Sequence, residues 1–200
     1  MSIWGNPVLL GGGTSPEPPL PEEYQEVEYM DFTPAYGFPV TIPTSFVVEA
    51  KFAADELALN RCVFGYRLTN SSDEAFIIGT NANGEAFLWV KGSGTNGIDD
   101  NLRVPYSVGV PTVIRGLVYN RRTSAFIGRY SAVSSYYYGF DGKIYYVKGW
   151  DVDGVLSFKF VPCYRKSDSR AGWYDVVAGV FYQAIVAQGG SSVNLGPDVT

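Results

Sequence analysis

The chain has no histidine among its 200 residues. Histidine is the usual general base at neutral pH and the commonest metal ligand, so a Ser-His relay and histidine-based metal sites are excluded. Catalysis that uses only carboxylates is compatible with this composition. Cysteine is scarce, with Cys62 and Cys163 only, and their spacing matches no zinc or CxxC motif. We expect two buried thiols, because free cysteine is among the most buried residue types; a disulfide that closes a long loop is the alternative.

An excess of positive charge and long apolar runs are also lacking. The formal net charge is −5, so the chain has no basic footprint for nucleic acid or an anionic membrane. No apolar run is long enough for a membrane-spanning helix, and we expect no membrane insertion. The first ten residues lack a basic start and a sustained apolar stretch, which predicts synthesis in the cytoplasm without a signal peptide.

Aromatic residues and glycine are abundant, with 15 Tyr, 12 Phe and 23 Gly. Aromatic and β-branched residues favour strands, and glycine marks the turns between them. The predicted strands are residues 24–29, 45–52, 62–68, 75–79, 85–90, 112–119, 124–130, 142–150 and 155–161. Turns are predicted at residues 81–84, 120–122 and 151–154, and one helical turn at 53–60. Short strands at near-regular spacing are typical of an all-β sandwich or barrel.

Three segments are predicted along the chain. Residues 1–10 form an apolar peptide, residues 11–21 a Gly/Pro linker, and residues 22–200 the β-sandwich domain. The apolar peptide is too short to fold alone, so we expect it to dock into a partner protein; packing on its own domain is the alternative. The predicted docking residues are Ile3, Trp4, Pro7, Val8, Leu9 and Leu10.

The two ends of the predicted domain carry a family resemblance. The matching stretches are residues 20–29, 142–148, 156–168, 171–182 and 196–197. They resemble the laminin-G-like, concanavalin A-like domains of gut bacteriophages and their bacterial hosts. This resemblance implies an all-β, concanavalin A-like jelly-roll β-sandwich with an extended N-terminal arm. Residues 31–40 and 183–190 depart from the family pattern, so the ligand site of the family does not transfer.

A set of signature residues carries most of the resemblance, and a structural role is expected for it. The set is Pro162, Arg165, Asp168, Gly172, Tyr174, Asp175, Phe181 and Tyr182. Arg165 and Asp168 are close enough in sequence to hold a turn by a charge-assisted hydrogen bond. Gly172 is expected to permit a backbone approach that a side chain would block. Trp173, Tyr174 and Phe181 are expected to close the sandwich.

The resemblance implies a bacteriophage virion structural protein, such as a capsid decoration, head fibre or tail-associated protein, on the virion surface. The start of the chain is similar to the IWGNP openings of small gut-phage structural proteins. A capsid or tail protein would receive the N-terminal arm, and the lectin-like domain would contact a host-surface glycan weakly, with avidity from many copies. A homotrimer is expected by analogy with other projecting virion proteins.

A stand-alone carbohydrate-binding module or bacterial adhesin domain is the alternative function. Its candidate glycan-binding residues are Tyr136, Tyr137, Tyr138 and Asn96, because sugars stack on exposed aromatic rings. A weaker prediction is Ca²⁺ bound by Asp99, Asp100 and Asn101, although calcium takes six to eight oxygen ligands. The alternative for both groups is a core-facing strand or a solvated turn. No other cofactor is predicted.

A glycoside hydrolase on the same fold is the least favoured function, so the chain is predicted not to be an enzyme. Retaining hydrolysis needs two carboxyl groups about 5–5.5 Å apart, and strand alternation must aim them into one cleft. Glu26, Glu28 and Asp31 come nearest, but their order is wrong.

Overall fold

The computed structural model of the chain describes residues 17–34, 36–58, 61–67, 75–91, 102–118, 123–129, 139–183, 185–186 and 193–200. Within these ranges the protein is all-β, with no helix. No helix in the described ranges is therefore long and apolar enough to cross a bilayer. The strands are β1 Tyr24–Glu26, β2 Met30–Phe32, β3 Tyr36–Thr41, β4 Phe46–Ala54, β5 Arg61–Arg67, β6 Ala75–Thr80, β7 Glu85–Lys91, β8 Leu102–Pro105, β9 Thr112–Val118, β10 Ser124–Ile127, β11 Gly142–Trp150, β12 Leu156–Arg165, β13 Arg170–Asp175, β14 Val180–Gln183, β15 Ile185–Val186 and β16 Asn194–Leu195.

The strands form two antiparallel sheets that fit a β-sandwich. Sheet I has nine strands, and its β14-β13-β12-β11 path continues from β11 to β4 and then to the edge strand β9. Sheet II has seven strands in the order β15-β3-β10-β5-β6-β7-β8. The predicted all-β class is therefore confirmed, as is the sandwich arrangement.

Both ends of the described chain pair with sheet I at the place where β11 and β12 no longer pair with each other. β1 pairs with β12, β2 pairs with β11, and β16 runs antiparallel beside β2. The predicted strand at residues 24–29 is thus interrupted. Val27 makes an isolated bridge with Asp198 instead of continuing β1, and the chain resumes as β2 at Met30.

Alternating side chains place the core between the sheets. In β4, Phe46, Val48, Ala50 and Phe52 are buried, and the residues between them are half-buried on the outer face. Aromatic rings dominate the core, often in edge-to-face pairs such as Phe46 and Phe158 at 5.2 Å. The largest fully buried side chains are Trp173, Phe32, Phe38, Phe46, Phe52, Phe64, Phe76, Phe140, Phe158, Phe160, Met30 and Ile78.

Two local predictions have different outcomes. The turn at residues 81–84 is confirmed, and Gly84 has a φ of 74°, which the left-handed region requires. The helical turn at 53–60 is wrong in its described part. Ala53 and Ala54 end β4, where they pair with Lys143 and Gly142, and residues 55–58 are not helical.

The two cysteines are free and buried, as expected. Cys62 packs in a small cluster of sheet II with Ile77, whereas Cys163 packs with Val161 and Tyr174 on sheet I. Burial raises the pKa of the Cys163 thiol to about 12 and that of Cys62 well above its usual value. Both thiols are therefore held in the protonated, unreactive form.

Candidate functional site

The N-terminal part of the described chain packs on the outer face of sheet I, over β12, β13 and β14. We call residues 17–24 the N-terminal strap. Leu20 and Tyr24 pack against a cluster formed by Val161, Cys163, Tyr174 and Val176, together with Phe181. The Tyr24 ring lies 4.9 Å from the Tyr174 ring and 5.0 Å from the Phe181 ring. An ion pair between Glu17 and Lys159 holds the start of the strap on β12.

This packing changes the role expected for two signature aromatics. Of the three aromatics that were expected to close the sandwich, only Trp173 lies in the core between the sheets, where it contacts Phe32 and Phe38. Tyr174 and Phe181 lie on the opposite face of sheet I, because successive strand residues point to opposite faces. The prediction that Tyr174 and Phe181 close the sandwich is therefore wrong; they close the contact with the strap.

Gly172 makes this contact possible. It pairs with Gln183 across β13 and β14, and a Cβ atom here would lie 2.3 Å from the Phe181 ring and 2.5 Å from the Tyr182 carbonyl oxygen. The expected close approach at Gly172 is confirmed. The Phe181 ring therefore occupies the space next to Gly172 that a side chain would fill, and it contacts Tyr24 there.

The turn between β12 and β13 has the predicted charge-assisted bonds. The Arg165 guanidinium donates from Nε to Asp168 Oδ1 at 3.1 Å and from Nη2 to Oδ2 at 2.5 Å. The backbone N–H of Arg170 also donates to Asp168. These bonds lower the pKa of Asp168 to about 2. Because the pair is exposed, its contribution to stability is small, and it also fixes the geometry of the turn.

Pro162 and Tyr182 complete the signature on the inner side of the same strands. Pro162 pairs with Trp173 in the ladder, and its carbonyl accepts a hydrogen bond from Val27 N at 3.0 Å. The Tyr182 ring packs edge-on against Phe160 at 5.8 Å. These residues therefore join the first and last parts of the chain to sheet I.

On the outer face of β4, β9 and β11 lies a charged and aromatic network centred on Glu49. Tyr146 Oη donates to Glu49 at 2.9 Å and Lys148 Nζ lies 3.0 Å from it, with Arg115 at 3.9 Å. Burial and the bond to Glu49 raise the pKa of Tyr146 to about 12. Arg115 Cζ lies 4.4 Å from the centre of the Trp150 ring, a cation–π contact. The charged groups of this network are satisfied by one another.

A cleft lies where the two sheets meet at one end of the sandwich. It has a volume of about 530 Å³ and is lined by Thr41, Ile42, Pro43, Ser157, Phe158, Asp175, Ala178, Val180 and Tyr182. Asp175 is buried, with 2% exposure, and its Oδ1 accepts hydrogen bonds from the N–H groups of Lys159, Val177 and Ala178. Burial raises the pKa of Asp175, and the three bonds oppose this rise.

The carboxylates nearest to a hydrolase pattern belong to different strands. Glu26 lies in β1 opposite Cys163, and Asp31 lies in β2 opposite Lys143. Burial raises the pKa of both carboxyl groups. Glu28 lies between the two strands, where its N–H donates to Pro197 O.

The predicted docking and ligand sites lie outside the described residues. They are Ile3, Trp4, Pro7, Val8, Leu9 and Leu10 of the leader, Tyr136, Tyr137, Tyr138 and Asn96 of the glycan prediction, and Asp99, Asp100 and Asn101 of the calcium prediction. Within the described ranges, no group of three or more Cys, Asp or Glu side chains could hold a metal ion. Sequence reasoning did not find the cleft, because its residues come from three separate stretches of the chain, 41–43, 157–158 and 175–182.

Comparison with protein-family models, with curated proteins and with solved structures gave no match. The laminin-G-like resemblance therefore stays a prediction.

Proposed function

We propose that the chain is a non-catalytic display module, a virion structural protein of a bacteriophage. Its N-terminal arm attaches to a capsid or tail protein, and its concanavalin A-like jelly-roll sandwich is presented outward to bind surface glycans. Each glycan contact is weak, and many copies on one particle supply the avidity.

The observation that carries this proposal is the N-terminal strap. The Glu17–Lys159 ion pair, the Leu20 contact and the Tyr24 ring pairs fix the strap on sheet I. Lys166 N also donates to Glu23 O at 2.9 Å. Glu17 therefore has a defined place on the outer face of sheet I. In this proposal, a partner bound to residues 1–10 holds the sandwich at a distance set by the Gly/Pro linker.

The architecture supports the lectin-like part of the proposal. Two antiparallel sheets with an aromatic core give a rigid body, and its cleft combines polar groups with apolar surface. Small-ligand sites of this volume commonly combine an apolar lining with a few polar groups that orient the ligand. Carbohydrate binding needs both, since a sugar ring presents hydroxyl groups at its edge and C–H groups on its faces.

The attachment is tested by changing Ile3, Trp4, Val8, Leu9 and Leu10 together to Ser. Copies per particle are counted by quantitative mass spectrometry after density-gradient purification. We expect loss of incorporation, because the apolar surface that docks is removed. A control carries Ser at Val152, Val155 and Val199, which are exposed apolar residues outside the arm. Unchanged incorporation of the arm variant would contradict the attachment.

Glycan binding is tested separately with a biotinylated domain tetramerised on streptavidin and applied to a glycan array. Tetramerisation supplies the avidity that weak single sites require. Signal above that of streptavidin alone is expected for at least one glycan class. A signal equal to background for every glycan would contradict the glycan-binding part of the proposal, and the attachment part would be unaffected.

A further inference from the structure

We propose that the cleft at the end of the sandwich, lined by Thr41, Ser157, Asp175, Val180 and Tyr182, is a binding site for a neutral saccharide. This inference rests on the proposed glycan-binding function, and it specifies the location of the site and the class of its ligand.

Asp175 supplies a hydrogen-bond acceptor to the cleft. Its three hydrogen bonds all end on Oδ1, and no residue of the described chain donates to Oδ2. The side chain is nevertheless buried and held in one orientation by the backbone of the β13–β14 turn. A fixed acceptor of this kind loses little entropy when a hydroxyl group binds to it.

Hydroxyl groups supply the complementary donors. Tyr182 Oη and Thr41 Oγ1 make no hydrogen bond within the described ranges, and both residues line the cleft. Ser157 Oγ donates to Val155 O at 3.3 Å, which leaves its lone pairs free to accept. Sugar hydroxyl groups both donate and accept, so this mixture of groups matches a polyhydroxylated ligand.

Apolar side chains complete the cleft. Ile42 and Phe158 are 2% and 1% exposed and form its floor. Pro43, Ala178 and Val180 line it nearer to solvent. Such surfaces suit the C–H groups of a pyranose ring, whose burial adds to the hydrogen bonds.

The charge of the cleft decides between neutral and anionic sugars. Among the described residues no Lys or Arg side chain lines it, and Asp175 is the one carboxylic acid in their lining. The side chain of Lys159 is paired with Glu17 at the strap. A carboxylate without a cation beside it disfavours sulfated, phosphorylated, sialylated or uronic acid ligands by like-charge repulsion.

The experiment is an NMR titration of the full chain labelled with ¹⁵N. The probes are the neutral tetrasaccharides of cellulose, starch, chitin, mannan and galactan, with tetragalacturonate as the anionic probe. Each is added to about 20 mM, enough to detect a millimolar Kd. We expect at least one neutral probe to shift the amides of Ser157, Ala178 and Val180, and we expect tetragalacturonate to leave them unchanged.

Two variants make the assignment specific. Val180→Trp fills the cleft and should weaken binding at least tenfold. Val177→Trp is the matched control, because Val177 lies in the turn directly before β14 and is equally exposed, at 40% against 41%, but does not line the cleft. Thermal melting checks that both variants fold. If Val180→Trp does not fold, Tyr182→Phe removes only the hydroxyl group, and a loss of about three- to tenfold is expected.

The outcomes separate this inference from the function on which it rests. Shifts centred on Trp150, or binding unchanged in Val180→Trp and in Tyr182→Phe, would overturn the cleft while leaving the glycan-binding proposal standing. Binding of tetragalacturonate in the cleft would overturn the neutral class. No response to any neutral probe, with a positive glycan array, would overturn the cleft alone, and a negative array would remove both.

Discussion

Replacement of Tyr24 by Ala should release the N-terminal strap and expose Cys163. The thiol is fully buried beneath a cluster to which Leu20 and Tyr24 contribute, and its own strand pairs with β1 through Glu26. Opening of residues 17–26 therefore gives solvent access to Cys163 without unfolding of the sandwich. Local opening of this kind is governed by the contacts that the opened segment loses.

The size of the effect follows from the contacts of the ring. Tyr24 makes aromatic pairs at 4.9 Å and 5.0 Å, each worth about 0.5–1.5 kcal/mol beyond area burial. Loss of the half-buried ring surface adds about 1 kcal/mol. The sum of about 2–4 kcal/mol corresponds to a rise of about 30- to 700-fold in the open population, at tenfold for each 1.4 kcal/mol.

The assay is labelling with N-ethylmaleimide, with the two cysteine peptides read separately by mass spectrometry. Cys163 should label faster in Tyr24→Ala by the stated factor, whereas Cys62, on sheet II, should not change. Tyr29→Ala is the control, because its ring packs on Tyr145 at 5.7 Å instead of on this cluster. An unchanged Cys163 rate, or an equal rise at Cys62, would refute the reasoning.

Three further predictions concern other parts of sheet I. The pKa of Asp168 is about 2 in the folded chain against a usual 3.8. The stabilisation from its ionised form is therefore present above about pH 4 and is lost as the pH falls towards 2. In Asp168→Asn, the melting temperature should fall less between pH 4 and pH 2 than it does in the parent. Gly172→Val should destabilise the fold by about 1–3 kcal/mol in urea unfolding, because the Cβ clashes with the Phe181 ring. Adding Phe181→Ala to Gly172→Val should restore only part of this loss, because the Tyr182 carbonyl oxygen still lies 2.5 Å from the new Cβ atom. Glu49→Gln should lower the pKa of Tyr146 from about 12, but burial should keep it above 10, as read from ¹³C-tyrosine NMR.

Each of these has a contradicting result. A variant at Asp168 that keeps the acid sensitivity of the parent would show that the bond to Arg165 does not set it. Full stability of Gly172→Val would show that the sheet yields at that position. An unmoved Tyr146 pKa in Glu49→Gln would assign the whole shift to burial.

Local pattern predicted the long strands well. In β4, buried and half-buried residues alternate from Phe46 to Phe52, and β11 alternates on both sides of the irregularity at Tyr145 and Tyr146. Both strands appear close to their predicted bounds. The helical turn at 53–60 was predicted from Ala and Leu residues. Pairing of Ala53 with Lys143 prevailed, because intrinsic propensity is weak compared with tertiary contacts.

Strand β3 was missed because Gly37 and Pro39 argue against a strand interior. The sheet accommodates them because β15 pairs only with Tyr36 and Gly37. Among the described residues no strand borders Pro39 on the side away from β10, so the missing N–H costs no ladder hydrogen bond there.

The candidate sites also divide into contacts that the local sequence predicts and contacts that depend on tertiary packing. Arg165 and Asp168 are three residues apart, so their contact could be predicted from sequence. Thr41 and Asp175 are far apart in sequence, and only the packing of β3 against β14 brings them to one cleft. No local pattern reports such a meeting.

The distant pairing of β1 and β2 has a consequence for folding. β1 pairs with β12, and β2 pairs with β11 and β16, so none of their partner strands lies nearby in the sequence. Val199 N donates to Glu26 O and Glu28 N donates to Pro197 O, which adds two more contacts of this kind. Contacts this distant in sequence slow folding, because the entropy of closing the long intervening loop is lost before they form.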